Sequence, residues 1–210
     1  CLINLLDDDR FSFDRAVAAR GGFWVRDTVA QMLGWAAAKL PAGFRLHLVH
    51  GLRPMGHQWA MWLTHREKLG QEYPHLSHDA LDRMARAMVA CPKHGYGPHQ
   101  TGGAIDVTIV DASGRPLDMG TAILTLNQQS RTRTPQISHM ARKNRQLLIN
   151  VMTAAGFNNY PAEWWHWSYG DRMWAAYQNK KFAIYGPISC ADYVLSDQEH
   201  QILADYHIHI

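Results

Sequence analysis

The segment Ala104-Ile-Asp-Val-Thr-Ile-Val110 constrains this chain more than any other. Its β-branched residues read as a strand, and Asp111-Ala-Ser-Gly114 supplies a turn to end it. On a strand, Asp106 shares a face with Ala104, Thr108 and Val110. A carboxylate among valine and isoleucine is costly unless it is paired or bound to a metal. Any fold must therefore bring a partner to Asp106. His99 precedes the strand, and Gly102-Gly103 permits a tight path that could fold its imidazole back toward the carboxylate. Alone, the segment fits equally a buried aspartate making structural hydrogen bonds below a surface histidine.

The remaining pattern mixes strands and helices without regular βαβ alternation, which predicts an α+β fold. Asp27–Lys39 reads as a helix with Val29, Leu33, Ala36 and Ala37 on its apolar side, ended by Pro41-Ala-Gly43. Arg45–His50 alternates as a half-buried strand, so His47 and His50, three apart, face opposite sides and read as packing or surface residues. Helices are expected near His57–Leu69 and Ser77–Ala90, the second carrying Leu81, Met84 and Met88. Thr134 and Pro135 open a long helix to about Ala155, with Gly156 as its C-terminal cap. Strands are expected at Trp164–Tyr169 and Phe182–Tyr185, and Ser196 with Glu199 forms a capping box for a last helix.

With 210 residues, 47% of them apolar, the chain reads as one domain over residues 1–210 with a sizeable core. The net charge of +3 is small and scattered. The densest basic stretch, Arg131–Arg145, has no aromatic platform, so it reads as a solvated helix face and not a nucleic-acid site. Cys1, Cys91 and Cys190 make an odd count without CxxC spacing, which points to reduced buried thiols. No stretch approaches the ~20 apolar residues of a membrane span. No basic and apolar leader precedes Cys1-Leu-Ile-Asn, so an upstream leader is expected to be missing. Asp7-Asp-Asp9 reads as an exposed charge run, and His207 and His209 as a mobile tail.

A second constellation is Glu163-Trp-Trp-His166-Trp-Ser-Tyr169. On a regular strand Glu163 and His166 would face opposite sides, so sharing one site requires an irregular strand entry near Pro161. Taken alone, this motif fits an aromatic core cluster with a satisfied histidine equally well. Together, His99, Asp106 and His166 give two imidazoles and one carboxylate. That is the donor set of a catalytic zinc with an open fourth position for water. Glu163 is then the general base that takes the water proton. Arg53, at the end of Gly51-Leu-Arg-Pro54, is the candidate to meet the oxyanion or a substrate carboxylate. His94 could also sit near the metal.

These motifs, HxxGGAxD then EWWHWSYGD with an upstream GLRP, resemble the D-alanyl-D-alanine dipeptidases of the vancomycin-resistance type. The likeness continues through Leu117-Asp-Met-Gly-Thr121, Arg142-Lys-Asn-Arg-Gln-Leu-Leu148, Gly156-Phe-Asn-Asn-Tyr160 and Ala183-Ile-Tyr-Gly-Pro187, covering roughly residues 45–188. The resemblance implies a bacterial zinc D,D-peptidase of hedgehog-like fold, a small antiparallel sheet flanked by helices. It implies one zinc per chain on His99, Asp106 and His166, Glu163 as base, Arg53 as transition-state stabiliser, and D-Ala-D-Ala or a related small peptide as substrate. The expected compartment is cytoplasmic or periplasmic.

Two positions depart from the family. Gly97 stands where those enzymes carry serine, and Leu124 where they carry an acidic residue thought to hold the dipeptide ammonium. Asp118 or Asp111 could substitute. A D,D-carboxypeptidase acting on longer peptidoglycan stems is the rival expectation. A non-catalytic zinc or peptide-binding module is the third, and retention of Glu163 argues against it.

Overall fold

The alternating segment around Leu46 and the β-branched segment around Ile105 become the centre of a five-stranded sheet in the computed structural model, which describes residues 1–86 and 89–209. In chain order the elements are β1 (Leu2–Asn4), β2 (Phe11–Phe13), α1 (Arg15–Ala19), β3 (Trp24–Arg26), α2 (Asp27–Ala38), β4 (Arg45–His50), α3 (Met55–Glu72) and α4 (His78–Arg86). They continue with β5 (Ala104–Val110), α5 (His139–Ala154), β6 (Asn158–Asn159), β7 (His166–Ser168), α6 (Arg172–Tyr177) and α7 (Asp197–Asp205). The sheet order is β2-β4-β5-β7-β6, antiparallel throughout except that edge strand β2 joins β4 in parallel. β1 and β3 form a separate antiparallel pair. The architecture is the expected α+β class.

One sheet face is apolar. Leu46 pairs with Ile109, Leu48 with Val107 and Ile105 with Trp167, and all six are buried. They form one cluster with Val29, Leu33 and Ala36 of α2 and Leu148, Val151 and Met152 of α5. Fully burying such side chains contributes roughly 1.5–3 kcal/mol each, so this face fixes the register of the sheet. A second cluster joins Trp62 and Leu63 of α3, Ala85 of α4, and Ile202 and Leu203 of α7. The Ser196–Glu199 capping box opens α7 as expected.

Several boundaries shift for identifiable reasons. The long helix starts at His139, not at Pro135, because the Ser138 hydroxyl accepts from Ala141 N and claims the N-cap. The strand expected over Trp164–Tyr169 shrinks to β7, since Trp164 and Trp165 lie in a turn. Residues 182–185 form no strand: Phe182 and Ile184 are exposed, so nothing favours a sheet edge there. α4 is described to Arg86, and Met88 lies outside the described residues.

The basic stretch is not wholly a solvated face. Arg145 is only 2% exposed and donates to the carbonyls of Met119, Arg131 and Gln129. Of the three free thiols only Cys91 is buried. Asp8 pairs with Arg10, while Asp7, Asp9, His207 and His209 are exposed. Among the described residues, no helix is long and apolar enough to cross a membrane.

Candidate metal centre and active site

The second sheet face is polar, and the site stands on it. His99 opens a single 3-10 turn after Pro98, and Gly102 leaves that turn at φ 69° to enter β5. A Cβ on Gly103 would lie 2.4 Å from Tyr169 O, so the glycine pair is required by both conformation and close approach. His99 is thereby turned back toward the strand. Its Nδ1 donates to Gly51 O at 2.8 Å, which fixes the tautomer and leaves Nε2 with a free lone pair.

β4 contributes a residue that strand periodicity hides. Its register against β5 shifts between Leu48 and His50, so Val49 is the extra residue of a bulge and His50 becomes the direct partner of Asp106. His47 pairs with Thr108 on the same face. The expectation that His47 and His50 face opposite sides is therefore corrected: the bulge restores His50 to the polar face. His47 approaches Ser12 Oγ at 3.0 Å, whereas His50 enters the site.

The entry to β7 is irregular, as the pairing of Glu163 with His166 requires. Glu163 N bonds Tyr160 O at 2.9 Å and His166 N bonds Glu163 O at 3.3 Å, so the chain turns twice before the strand begins. Trp164 and Trp165 bury their indoles inside this turn, and Trp164 Nε1 donates to Thr121 Oγ1 at 2.9 Å. Asn159 Nδ2 braces the turn through Glu163 O at 3.0 Å and His166 O at 2.9 Å. β7 then sets His166 directly opposite Asp106.

Three imidazoles consequently surround one carboxylate that is 2% exposed. Asp106 Oδ1 is 3.0 Å from His166 Nδ1, and Oδ2 is 3.0 Å from His50 Nδ1 and 3.3 Å from His99 Nε2. Burial opposes ionisation of Asp106, but the surrounding imidazoles, His99 by its proximity and His166 and His50 by their bonds, hold its pKa well below the usual range. Burial pushes His99 down to about 4, which keeps it neutral. Burial also works against a charge on His166, but the bond and field of Asp106, with Glu163 and Asp171, outweigh it and raise its pKa.

One ligand atom each from His99, Asp106 and His166 fits within a 4.8 Å span. The bond to Gly51 O leaves the His99 Nε2 lone pair facing an Asp106 oxygen. Two acceptors this close need a cation between them, so the group suits a metal ion. Two imidazoles and one carboxylate are the donors preferred by a zinc with an open coordination position.

These residues line a cavity of about 590 Å³ that also contains Glu163 and Arg53. Glu163 is half-buried, and desolvation raises its pKa against the lowering field of His166. Arg53 donates from Nη1 to Gln58 Oε1 at 3.2 Å, and its Nη2 lies 3.3 Å from His50 Nδ1. Gln58 Oε1 also accepts from Gln100 Nε2 at 3.1 Å, while its Nε2 donates to Ala90 O at 2.8 Å. Arg53 is thus held by a buried amide pair whose importance no local sequence pattern announced.

Leu124 and Gly97 both line the cavity. Leu124 has φ 65°, an uncommon left-handed conformation for a leucine. Neither acidic substitute reaches this wall. Asp118 accepts from Gly120 N and Ser138 Oγ, and Asp111 closes its own turn on Ser113 and Arg115. His94 is exposed and outside the cavity lining.

A family model described as D-ala-D-ala dipeptidase matches residues 23–185. D-alanyl-D-alanine dipeptidases of Synechocystis sp. and Escherichia coli are 37% identical to this chain over 108 and 93 residues respectively. The alignments cover 43% and 40% of this chain and 44% and 48% of those proteins, so it spans about half the length of these curated relatives. The solved LD-carboxypeptidase LdcB matches with a TM-score of 0.50 and 23% identity over 87% of this chain and 74% of that one, a likeness of fold.

Proposed function

This chain belongs to the D-ala-D-ala dipeptidase family, and we propose that it hydrolyses the peptide bond of D-Ala-D-Ala using one zinc ion held by His99, Asp106 and His166. The convergence of those three donors in one cavity with Glu163 carries the reading. When bound, zinc supplies Lewis acidity that polarises a carbonyl and lowers the pKa of water toward about 7. Glu163 accepts a proton from the attacking water and passes it to the departing amine nitrogen. The raised pKa of this half-buried carboxyl suits it to hold that proton between the two steps.

Arg53 meets the negative charge that develops on the carbonyl oxygen. Gln58 orients the guanidinium by accepting from Nη1, and His50 orients Asp106 by donating to Oδ2. The tryptophans of the Glu163–His166 turn keep water from the wall behind the base.

A second reading, cleavage of longer peptidoglycan stems as a D,D-carboxypeptidase, is favoured by Leu124. An apolar side chain occupies that part of the cavity wall, and Asp111 and Asp118 are engaged elsewhere. Release of D-alanine from D-Ala-D-Ala and from N-acetyl-D-Ala-D-Ala, measured side by side on the zinc-loaded protein, separates the two. Turnover of the free dipeptide alone supports the dipeptidase. Equal turnover of the blocked peptide moves the assignment to a carboxypeptidase, and no turnover of either refutes both.

A further inference from the structure

Arg172, the first residue of α6, lines the same cavity as the proposed metal ligands. Its guanidinium lies 4.2 Å over the ring of Tyr96 and Nη2 donates to Tyr96 O, so the group is held at two points. The side chain is exposed, and among the described residues no carboxylate pairs with it. Neighbouring Asp171 is buried and spends Oδ1 on capping α6 at Trp174 N, 2.7 Å away. Tyr96 and the neighbouring Gly97 line the same cavity.

Arg53 is committed elsewhere. It is tied to Gln58, lies close to His50, and feels the fields of Asp106 and Glu163 at the reacting centre. The cavity therefore carries a second cation that the hydrolytic step does not use. A guanidinium held over an aromatic ring, with free N–H groups, suits bidentate capture of a carboxylate. A substrate ending in D-Ala-D-Ala, free or attached to a longer stem, always carries one carboxylate at its C-terminus.

We infer that Arg172 anchors the terminal carboxylate of the substrate and so restricts cleavage to the last peptide bond. This rests on the proposed D-Ala-D-Ala chemistry. It assigns Arg172 to binding and Arg53 to the transition state.

The test uses zinc-loaded Glu163→Gln protein, titrated calorimetrically with D-Ala-D-Ala and with its C-terminal amide. The acid is expected to bind at least about tenfold tighter than the amide, the scale of one charge-assisted contact. Adding Arg172→Gln should weaken the acid about tenfold and leave the amide unchanged, and Arg172→Lys should recover part of the loss. Equal affinity of the parent for acid and amide overturns the assignment. So does an acid affinity that Arg172→Gln leaves intact, or a loss equal for both ligands. Absence of D-alanine release by the protein with Glu163 intact refutes the catalytic proposal instead, and this binding comparison still decides the role of Arg172.

Discussion

Replacing Arg145 with methionine should destabilise the fold by about 3 kcal/mol. Arg145 bonds three main-chain carbonyls, Met119 O at 2.7 Å, Arg131 O at 2.8 Å and Gln129 O at 2.8 Å, and lies 5.5 Å over the ring of Trp164. Burial lowers its pKa to about 10, so it is still charged at neutral pH. Hydrogen bonds from a charged donor are worth roughly 1.5–3 kcal/mol each, which for three bonds would exceed the figure above. The net is smaller because burying a guanidinium without a paired carboxylate is itself costly, and the loop carbonyls can turn to water once freed.

For a chain of this size 1 kcal/mol moves the melting temperature by roughly 2–4 °C, so the expected drop is about 6–12 °C. Thermal and urea unfolding of Arg145→Met against wild type measure it. Arg145→Lys should lose most of the same stability, since a single ammonium cannot reach three divergent carbonyls. The loop it straps carries Leu124 and Leu126 into the cavity wall, so KM should rise as well. A loss below about 1 kcal/mol in the methionine variant would show that the loop holds itself.

Three further outcomes are expected. His50→Asn should weaken zinc affinity by about 10–100-fold in a chelator competition, because Asp106 Oδ2 loses its 3.0 Å donor; unchanged affinity would remove His50 from the site. Gln58→Met should lower kcat about tenfold with KM nearly constant, and should cost nothing further in an Arg53→Ala background; additive losses would mean a packing effect. Burial drives the His57 pKa down to about 3 from its ordinary 6.5, so the unfolded chain takes up a proton that native His57 refuses. The contribution is complete above about pH 6.5 and falls as pH drops toward 3. His57→Gln should therefore lose about 2 kcal/mol less than wild type between pH 7 and 5; parallel stability curves would contradict this.

Much of the site was legible because its cost is local. Asp106 in an apolar strand demands a partner, and Gly102-Gly103 shows that the chain before it turns tightly. Alternation at residues 45–50 and the β-branched run at 104–110 mark both central strands to the residue. What escaped depends on tertiary register. Strand periodicity sets His47 and His50 on opposite sides, because a bulge is set by the pairing of β4 with β5 and not by composition. Arg145 reads as one charge on a solvated helix, since the carbonyls it bonds belong to a loop distant in sequence. Phe182–Tyr185 has strand-like residues, but Ile184 N and Tyr185 N both converge on Gly170 O, a turn contact that starts no ladder. The helix expected from Pro135 waits for Ser138 because a hydroxyl that reaches Ala141 N outcompetes a proline signal upstream.

The central claim is that Glu163 acts on a water activated between His99, Asp106 and His166. The most direct measurement is D-alanine release from D-Ala-D-Ala by zinc-loaded wild type and Glu163→Gln, with zinc content determined on the same samples. The account predicts one zinc per chain in both proteins and a loss of roughly 10²–10⁴-fold in kcat for the variant. Undiminished hydrolysis by Glu163→Gln, or wild-type turnover that persists after zinc is stripped, would contradict it.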